Sequence, residues 1–311
     1  MNKKYNLFVY PNAKPHVHDN ESIHLVNGVS QYINTVPLSK IGINEHFNIT
    51  TYDNADFFYM GQFSDGMEIP SQENFIYLKN NEHKHICDIE GDWTNKEIPN
   101  WLRKCILTIN GARKDYSDVR MFVRPTFSFL LVDLAKNKSP YNRRIIDDVT
   151  FGFRGYIDPN GVRVKMVNAF YNSKLNGDVS LTNRWMAQNS LDDENTQKYI
   201  SILSNNIFSL CPMGAGFDSI RFFESCYYGA IPIVISNIYV PFQKEFKKPF
   251  FFQIDYRLSE DEMKDQFVEI SKTPPQIIKE MSDNAQDYFN CYIVSYFKDP
   301  TLTFLNWLSN E

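Results

Sequence analysis

The chain has 311 residues, 43% of them apolar and 22% charged, with a formal net charge of −5 at pH 7. That length permits two ordinary domains with a sizeable core, and the acidic balance argues against a nucleic-acid partner, since no basic tract exceeds pairs such as Arg143-Arg144 and Lys247-Lys248. No apolar run reaches the roughly 18 residues of a membrane span, and "MNKKYNLFVYPNAKPH" lacks a signal-peptide core, so a cytoplasmic location with no membrane-spanning segment is expected.

In chain order, the first half offers short aromatic and β-branched runs bounded by Asn, Asp, Gly or Pro. "YNLFVY", "FNITTY", "ADFFYM", "NFIYL", "KHICDI", "CILTI" and "VRMFVRP" read as strands, with helical patterns at 21–33 and 98–104 between them. The polar stretch "KNKSPYNRRIIDD" (136–148) reads as a linker. Beyond it, "VTFGFRG" reads as a strand, "VRVKMVNAFYNS" as a helix, "DVSLT" as a strand and "NTQKYISILSNN" as a helix. "IFSLCP", "IPIVIS" and "PFFFQI" read as strands, with the helix "DSIRFFESCYY" between the first two. Ser259 and Glu262 have capping-box spacing at the start of "SEDEMKDQFVEISK", and the remaining tail looks helical with a break at Pro300. Strand–helix alternation favours α/β layers. The division expected is an N-terminal α/β domain over 1–140, a C-terminal α/β domain over 141–285, and a helical tail over 286–311 that packs back on the N-terminal domain. The five cysteines are scattered and odd in number, with neither disulfide nor zinc spacing.

The stretch "CPMGAGFDSIRFFESCYYGAIPIVIS" (211–236) carries the clearest chemistry. If "IFSLCP" ends at Pro212 and a helix starts after Asp218, the Gly214–Gly216 loop lies at the carboxyl edge of a sheet. There, backbone amides and a helix N-terminus favour an anion. Arg221, Glu224 and Tyr228 share one helical face; Arg221 can reach a phosphate, and Glu224 can accept from vicinal ribose hydroxyls. Gly-x-Gly alone often only makes a turn, and an Arg–Glu pair at this spacing is often a surface ion pair of little worth.

Leu210 to Gly214, Asp218 to Glu224, Gly229 to Val234 and Pro241-Phe242 together resemble the donor-binding signature of exostosin-like glycosyltransferases. That signature is a Pro-Arg-Gly turn, a Ser-x-Arg-Phe-x-Glu helix, a Gly-x-Ile-Pro-Val strand and a Leu-Pro-Phe end. Phe153-Arg154-Gly155 followed by Arg163, and "YISILSNNIF" from Tyr199, resemble further family segments; "DNADFFYMG" and "HICDIEGDW" are thinner likenesses. Met213 stands where the family turn has Arg, so that phosphate contact is either lost or covered by Arg154 or Arg221.

The resemblance implies a GT-B fold: two Rossmann-like α/β domains facing a cleft, with acceptor on the first and nucleotide-sugar on the second. It implies inverting transfer from a nucleotide-sugar donor, a UDP-sugar first, to a carbohydrate acceptor, with no cofactor and no metal. Donor contacts would then come from Arg154, Gly155, Pro212, Gly214, Gly216, Ser219, Arg221 and Glu224. The general base should come from the N-terminal half, which holds all six histidines and the acids Asp88, Glu90 and Asp92. The ranking is Asp88, then Glu90, then His18; strand alternation sends Asp88 and Glu90 to the same side. Asn237, Tyr239 and Asp158 are guesses for donor selectivity. Two other readings stay open: a fucosyltransferase-like enzyme using a GDP-sugar, and an inactive glycan-binding relative.

Overall fold

A computed structural model describes residues 4–11, 13, 23–26, 29–32, 37–38, 40–63, 70–89, 97–126, 128, 130–131, 134–135, 141, 148–158, 160–183, 194–214 and 216–311. The chain divides into two compact α/β units: Met1–Arg124 with Tyr239–Pro241 and Ser295–Glu311, and Pro125–Ile238 with Phe242–Val294. The chain leaves the first unit at Arg124–Pro125, ahead of the polar stretch 136–148.

The first unit holds a six-stranded parallel sheet. Its strands are β1 (Tyr5–Val9), β4 (Phe47–Ile49), β5 (Phe57–Phe63), β6 (His85–Ile89), β7 (Ile106–Ile109) and β8 (Arg120–Val123), in the order β4-β1-β5-β6-β7-β8. Parallel strands covered on both faces read as near-continuous apolar runs, and every residue of β6 and β7 is buried. The core gathers Phe58, Met60, Cys87, Ile89, Leu107 and Ile109 with Tyr10, Phe75, Leu102 and Tyr116. The helix Pro300–Asn310 belongs to this unit, where Phe304 and Trp307 lie against Phe122. Asp299 caps its first turn by accepting from the Leu302 amide at 2.9 Å.

Three expectations fail here. The described residues within 21–33 are not helical: β2 (Ile23–Val26) and β3 (Val29–Tyr32) form an antiparallel pair with Val26 opposite Val29. Asn27-Gly28 lies between them, a dipeptide whose preference for the two-residue hairpin turn outweighs the helical spacing of the flanking apolar residues. "NFIYL" is not a strand; it follows a short 3-10 turn (Gln72–Asn74), and Ile76 is exposed. The pattern over 98–104 yields only the 3-10 turn Leu102–Lys104.

The second unit carries a five-stranded parallel sheet. β9 (Phe151–Tyr156), β10 (Gly177–Thr182), β11 (Phe208–Pro212), β12 (Ile231–Ile235) and β13 (Phe252–Ile254) lie in the order β10-β9-β11-β12-β13. The crossovers include the helices Val162–Ser173, Glu194–Asn205 and Ile220–Tyr227. Gly229, at φ 69°, ends the last of these in a left-handed conformation. The helix Glu260–Ser271 opens with the capping box: the Ser259 hydroxyl accepts from the Glu262 amide and the Glu262 carboxylate accepts from the Ser259 amide. Among the described residues no helix is long and apolar enough to cross a membrane.

In both units the order runs second strand, first strand, third, fourth and fifth, leaving aside the β2–β3 pair. Such sheets bind ligands outside the carboxyl ends of the strands where the winding reverses. In the second unit that place lies beyond Tyr156 of β9 and Pro212 of β11.

Candidate functional site

Three arginines lie on the elements that form that edge of the second unit. Arg154 is in β9, Arg163 in the first turn of the helix Val162–Ser173, and Arg221 in the first turn of the helix Ile220–Tyr227. Arg221 is 8% exposed. Its guanidinium lies over the Phe153 ring at 4.4 Å and the Tyr199 ring at 5.1 Å, and it donates to the Arg154 carbonyl. Residues 153 and 155 share one face of β9, and a Cβ at Gly155 would stand 2.7 Å from the Phe153 ring and 3.2 Å from Arg221 Nη2. Glycine at 155 is therefore what admits the guanidinium. Arg154 reaches Asn195 Oδ1 at 3.3 Å.

Arg163 lies beside Met213. Its Nε donates to the Met213 carbonyl at 3.2 Å and its Nη1 to the Tyr156 carbonyl at 2.8 Å, so it joins the ends of β9 and β11. A Cβ at Gly214 would sit 2.9 Å from Arg163 Nη2, so the glycine makes room for this side chain. An arginine of the neighbouring helix thus stands against the turn that carries Met213. Burial, and next the Arg221 charge, lower the Arg163 pKa to about 10. Asp158 is buried and occupied, accepting from the Val162 and Arg163 amides at 3.1 and 3.0 Å.

None of these three arginines pairs with a carboxylate within 4 Å among the described residues, and the Nε atoms of Arg154 and Arg221 are buried without a partner. Buried charge without a counter-ion is costly, and a bound anion would offset it.

Glu224 does not pair with Arg221. It is 4% exposed; one oxygen accepts from the Ser128 hydroxyl at 2.7 Å and the other from the Tyr199 hydroxyl. Burial raises its pKa, opposed by those two hydroxyls and by Arg221. Burial, then the Glu224 charge, raise the Tyr199 phenol as well. A carboxylate has about four acceptor positions, so two remain for a ligand. The surface ion pair is excluded, and Tyr199 touches both groups of interest: its ring lies under Arg221 and its hydroxyl on Glu224.

The other expected donor residues differ in what they offer. Pro212 is buried at the end of β11. Gly214 does not present a free amide, because its N–H donates to the Gly216 carbonyl at 3.0 Å within the loop. Ser219 is extended at the N-cap position of its helix, and its side chain caps nothing. Tyr239 lies in the first unit, bound to the Ala112 and Lys114 carbonyls, and is no part of this edge.

Residues 136–253 match the family model of the RXYLT1 C-terminal domain. That span includes all three arginines, Tyr199 and Glu224, and it overlaps the stretch on which the exostosin-like resemblance rests. Ribitol-5-phosphate xylosyltransferase 1 of Danio rerio is 29% identical over 84 residues, 26% of this chain and 19% of that protein. The chain therefore aligns with less than a fifth of that relative's length. Among solved structures, a DNA-modifying β-glucosyltransferase is 11% identical with a TM-score of 0.41, covering 97% of this chain and 98% of its own. TarM is 10% identical with a TM-score of 0.38, covering 88% and 56%. Both scores lie below 0.5.

For the base, Glu90 and His18 lie outside the described residues. Asp88 is described, and it has no exposed exit: it is 0% exposed in the middle of the first sheet. Its oxygens accept from the Tyr59 hydroxyl at 3.0 Å and from the Thr108 hydroxyl. Alternation says nothing of burial, and both faces of this parallel sheet are covered. Asp88 is a satisfied structural carboxylate. Among the described residues no cluster of three His, Cys, Asp or Glu side chains could hold a metal ion.

Proposed function

We propose that the chain is a glycosyltransferase of the GT-B kind that binds a nucleotide-sugar at the carboxyl edge of the second sheet. The observation that carries this reading is the pair of guanidiniums, Arg163 and Arg221, close enough there to repel one another, with no carboxylate within 4 Å of either among the described residues. A diphosphate supplies the missing negative charge, and Arg163 and Arg221 meet it with rigid forks of donors. Glu224, held by Ser128 and Tyr199, accepts from the ribose hydroxyls.

The chemistry follows from that placement. Negative charge grows on the departing diphosphate as the sugar leaves, and preorganised cations stabilise it there. Those guanidiniums supply the charge that a bound metal would otherwise provide, so the proposal includes none. The donor edge offers only cations, amides and a glutamate that the ribose would occupy. A base for the acceptor hydroxyl therefore comes from the first unit, with Glu90 and His18 the remaining candidates. Direct displacement inverts the anomeric centre. The motif residues 210–234 favour an exostosin-like donor site, and likeness to a xylosyltransferase puts pentosyl donors beside hexosyl ones. A UDP-sugar is the first choice.

The test is a thermal-shift panel of UDP and GDP, followed by transfer assays with UDP-xylose, UDP-glucose and GDP-fucose. UDP should stabilise the protein by about 2.7 kcal/mol at a hundredfold excess over Kd. Stabilisation by GDP alone would favour the fucosyltransferase-like reading. No response to any nucleoside diphosphate would leave a glycan-binding relative as the better account.

A further inference from the structure

The first unit has an open groove of about 680 Å³ that the donor chemistry does not use. Its apolar wall is Phe75, Ile76 and Trp101; Gln72, Glu73 and Lys79 supply its polar groups. Ile76 is 73% exposed, the most exposed of the large apolar side chains among the described residues. The wall is firm beneath it: Phe75 is 7% exposed, with ring centroids 5.9 Å from Trp101 and 5.2 Å from Tyr10. The Ser71 hydroxyl accepts from the Glu73 amide and fixes the turn that carries Gln72 and Glu73. Neither Glu73 nor Lys79 makes an ion pair among the described residues.

We propose that this groove binds a neutral carbohydrate, the body of the acceptor away from its reacting end. A pyranose joins an apolar C–H face to a rim of hydroxyls. Indole and isoleucine meet the face, while an amide, a carboxylate and an ammonium offer donors and acceptors to the rim. One carboxylate and one ammonium leave the lining without net charge, which disfavours a nucleotide or a sulfated chain. The volume lies within the roughly 300–1,000 Å³ of ligand sites. That the carbohydrate is an acceptor rests on the glycosyltransferase reading; that the groove binds carbohydrate does not.

The experiment is saturation-transfer NMR and titration of the whole chain with neutral xylo-, cello-, malto- and chito-tetraoses, and with a sulfated tetrasaccharide. At least one neutral tetraose should bind, at least fivefold more weakly in Ile76→Ser and tenfold more weakly in Trp101→Ala. UDP affinity should be unchanged in both. Because Ile76 is exposed, Ile76→Ser leaves the core intact even if Trp101→Ala folds poorly. Failure of every tetraose to bind, equal binding by Ile76→Ser, or binding of the sulfated sugar alone overturns the proposal. A concentration-dependent dimer dissolved by Ile76→Ser, with no tetraose bound, would make the groove a self-interface instead. If a tetraose binds here while no nucleoside diphosphate stabilises the protein, the donor reading fails and this one stands.

Discussion

The two parallel sheets run their strands in the same order, with one additional strand on the first, yet the polar groups buried inside the first and those at the carboxyl edge of the second are answered differently. In the first unit the Nε atoms of Arg103 and Arg124 are buried without a partner, but His85, Asp88 and Thr108 inside the sheet find theirs within the fold. His85 donates from Nδ1 to the Asn81 carbonyl at 2.7 Å, which can only accept, so Nε2 accepts from the Tyr10 hydroxyl at 3.0 Å. The Tyr10 hydroxyl in turn accepts from the Tyr77 amide, and Asp88 takes two hydroxyls. In the second unit the arginines at the sheet edge have carbonyls, rings and one amide oxygen around them, but no carboxylate within 4 Å among the described residues. A satisfied buried network explains stability; buried charge left short of an opposite sign indicates a ligand.

The largest effect that tests this contrast concerns turnover. Replacing the true base should lower it about 10²–10⁴-fold while leaving donor affinity unchanged, so Glu90→Gln and His18→Ala are each assayed with UDP-sugar and acceptor. Asp88→Asn should act differently. An amide oxygen replaces only one of the two carboxylate oxygens, leaving the Tyr59 or Thr108 hydroxyl without its acceptor. Denaturation should then show a loss of about 1–3 kcal/mol, with turnover per folded molecule near normal. Full folding with abolished turnover in Asp88→Asn would break the contrast.

The second effect is acid sensitivity of the first unit. Burial, only partly opposed by the Asn81 hydrogen bond, lowers the His85 pKa to about 4. The unfolded chain binds this proton near the ordinary histidine value and the folded chain resists it. Stability therefore falls as pH drops from about 6.5 toward 4, by about 3 kcal/mol over the whole window. Urea denaturation across that range should show the slope in the native chain and a flatter one in His85→Gln. An equal slope in both would assign the loss to other groups.

At the donor edge, Arg163→Ala and Arg221→Ala should each weaken nucleoside diphosphate binding about tenfold or more, since a charge-assisted contact contributes about 1.5–3 kcal/mol. Calorimetry with UDP measures it. Arg163→Lys should not restore affinity, because a point charge cannot join the Met213 and Tyr156 carbonyls as the fork does. Undiminished affinity in both alanine variants would make the cluster structural and erase the difference between the units.

Much of the second unit was readable in the residues. The helices at 162–173 and 260–271 and the strands around Gly214 follow from apolar spacing, a capping box and glycine placement, all local signals. Ser128 was not readable: it lies 96 residues before Glu224, and only the fold brings the two together. Arg163 and Tyr199 were visible as likenesses, but their contacts depend on how two helices pack on β9 and β11. The β2–β3 pairing is legible in Asn27-Gly28, whose turn preference outweighs the apolar spacing on either side of it. Asp88 shows the reverse limit, since alternation sets a side chain's direction while the layers covering the sheet decide whether it meets water.

The smallest expected effect is the sharpest probe of the second unit. Tyr199→Phe keeps the ring beneath Arg221 and removes only the hydroxyl on Glu224. One buried carboxylate oxygen loses its donor, at a cost of about 1 kcal/mol, so UDP affinity should fall roughly fivefold. The hydroxyl also favours the charged form of Glu224, so its loss raises further a pKa that burial has already raised. Such a group stabilises the fold fully below the ordinary glutamate value, and that contribution is lost as pH rises through the folded value. In Tyr199→Phe the loss should therefore extend to higher pH, and Glu224→Gln should abolish the pH dependence in both backgrounds. Paired denaturation series and calorimetry at several pH values read both effects. Tyr199→Leu, which also strips the ring from Arg221, should lose more affinity than Tyr199→Phe. If the two variants bind UDP alike, the ring does nothing for Arg221; if Tyr199→Phe binds like the native chain, Glu224 does not depend on that hydroxyl to hold a ribose.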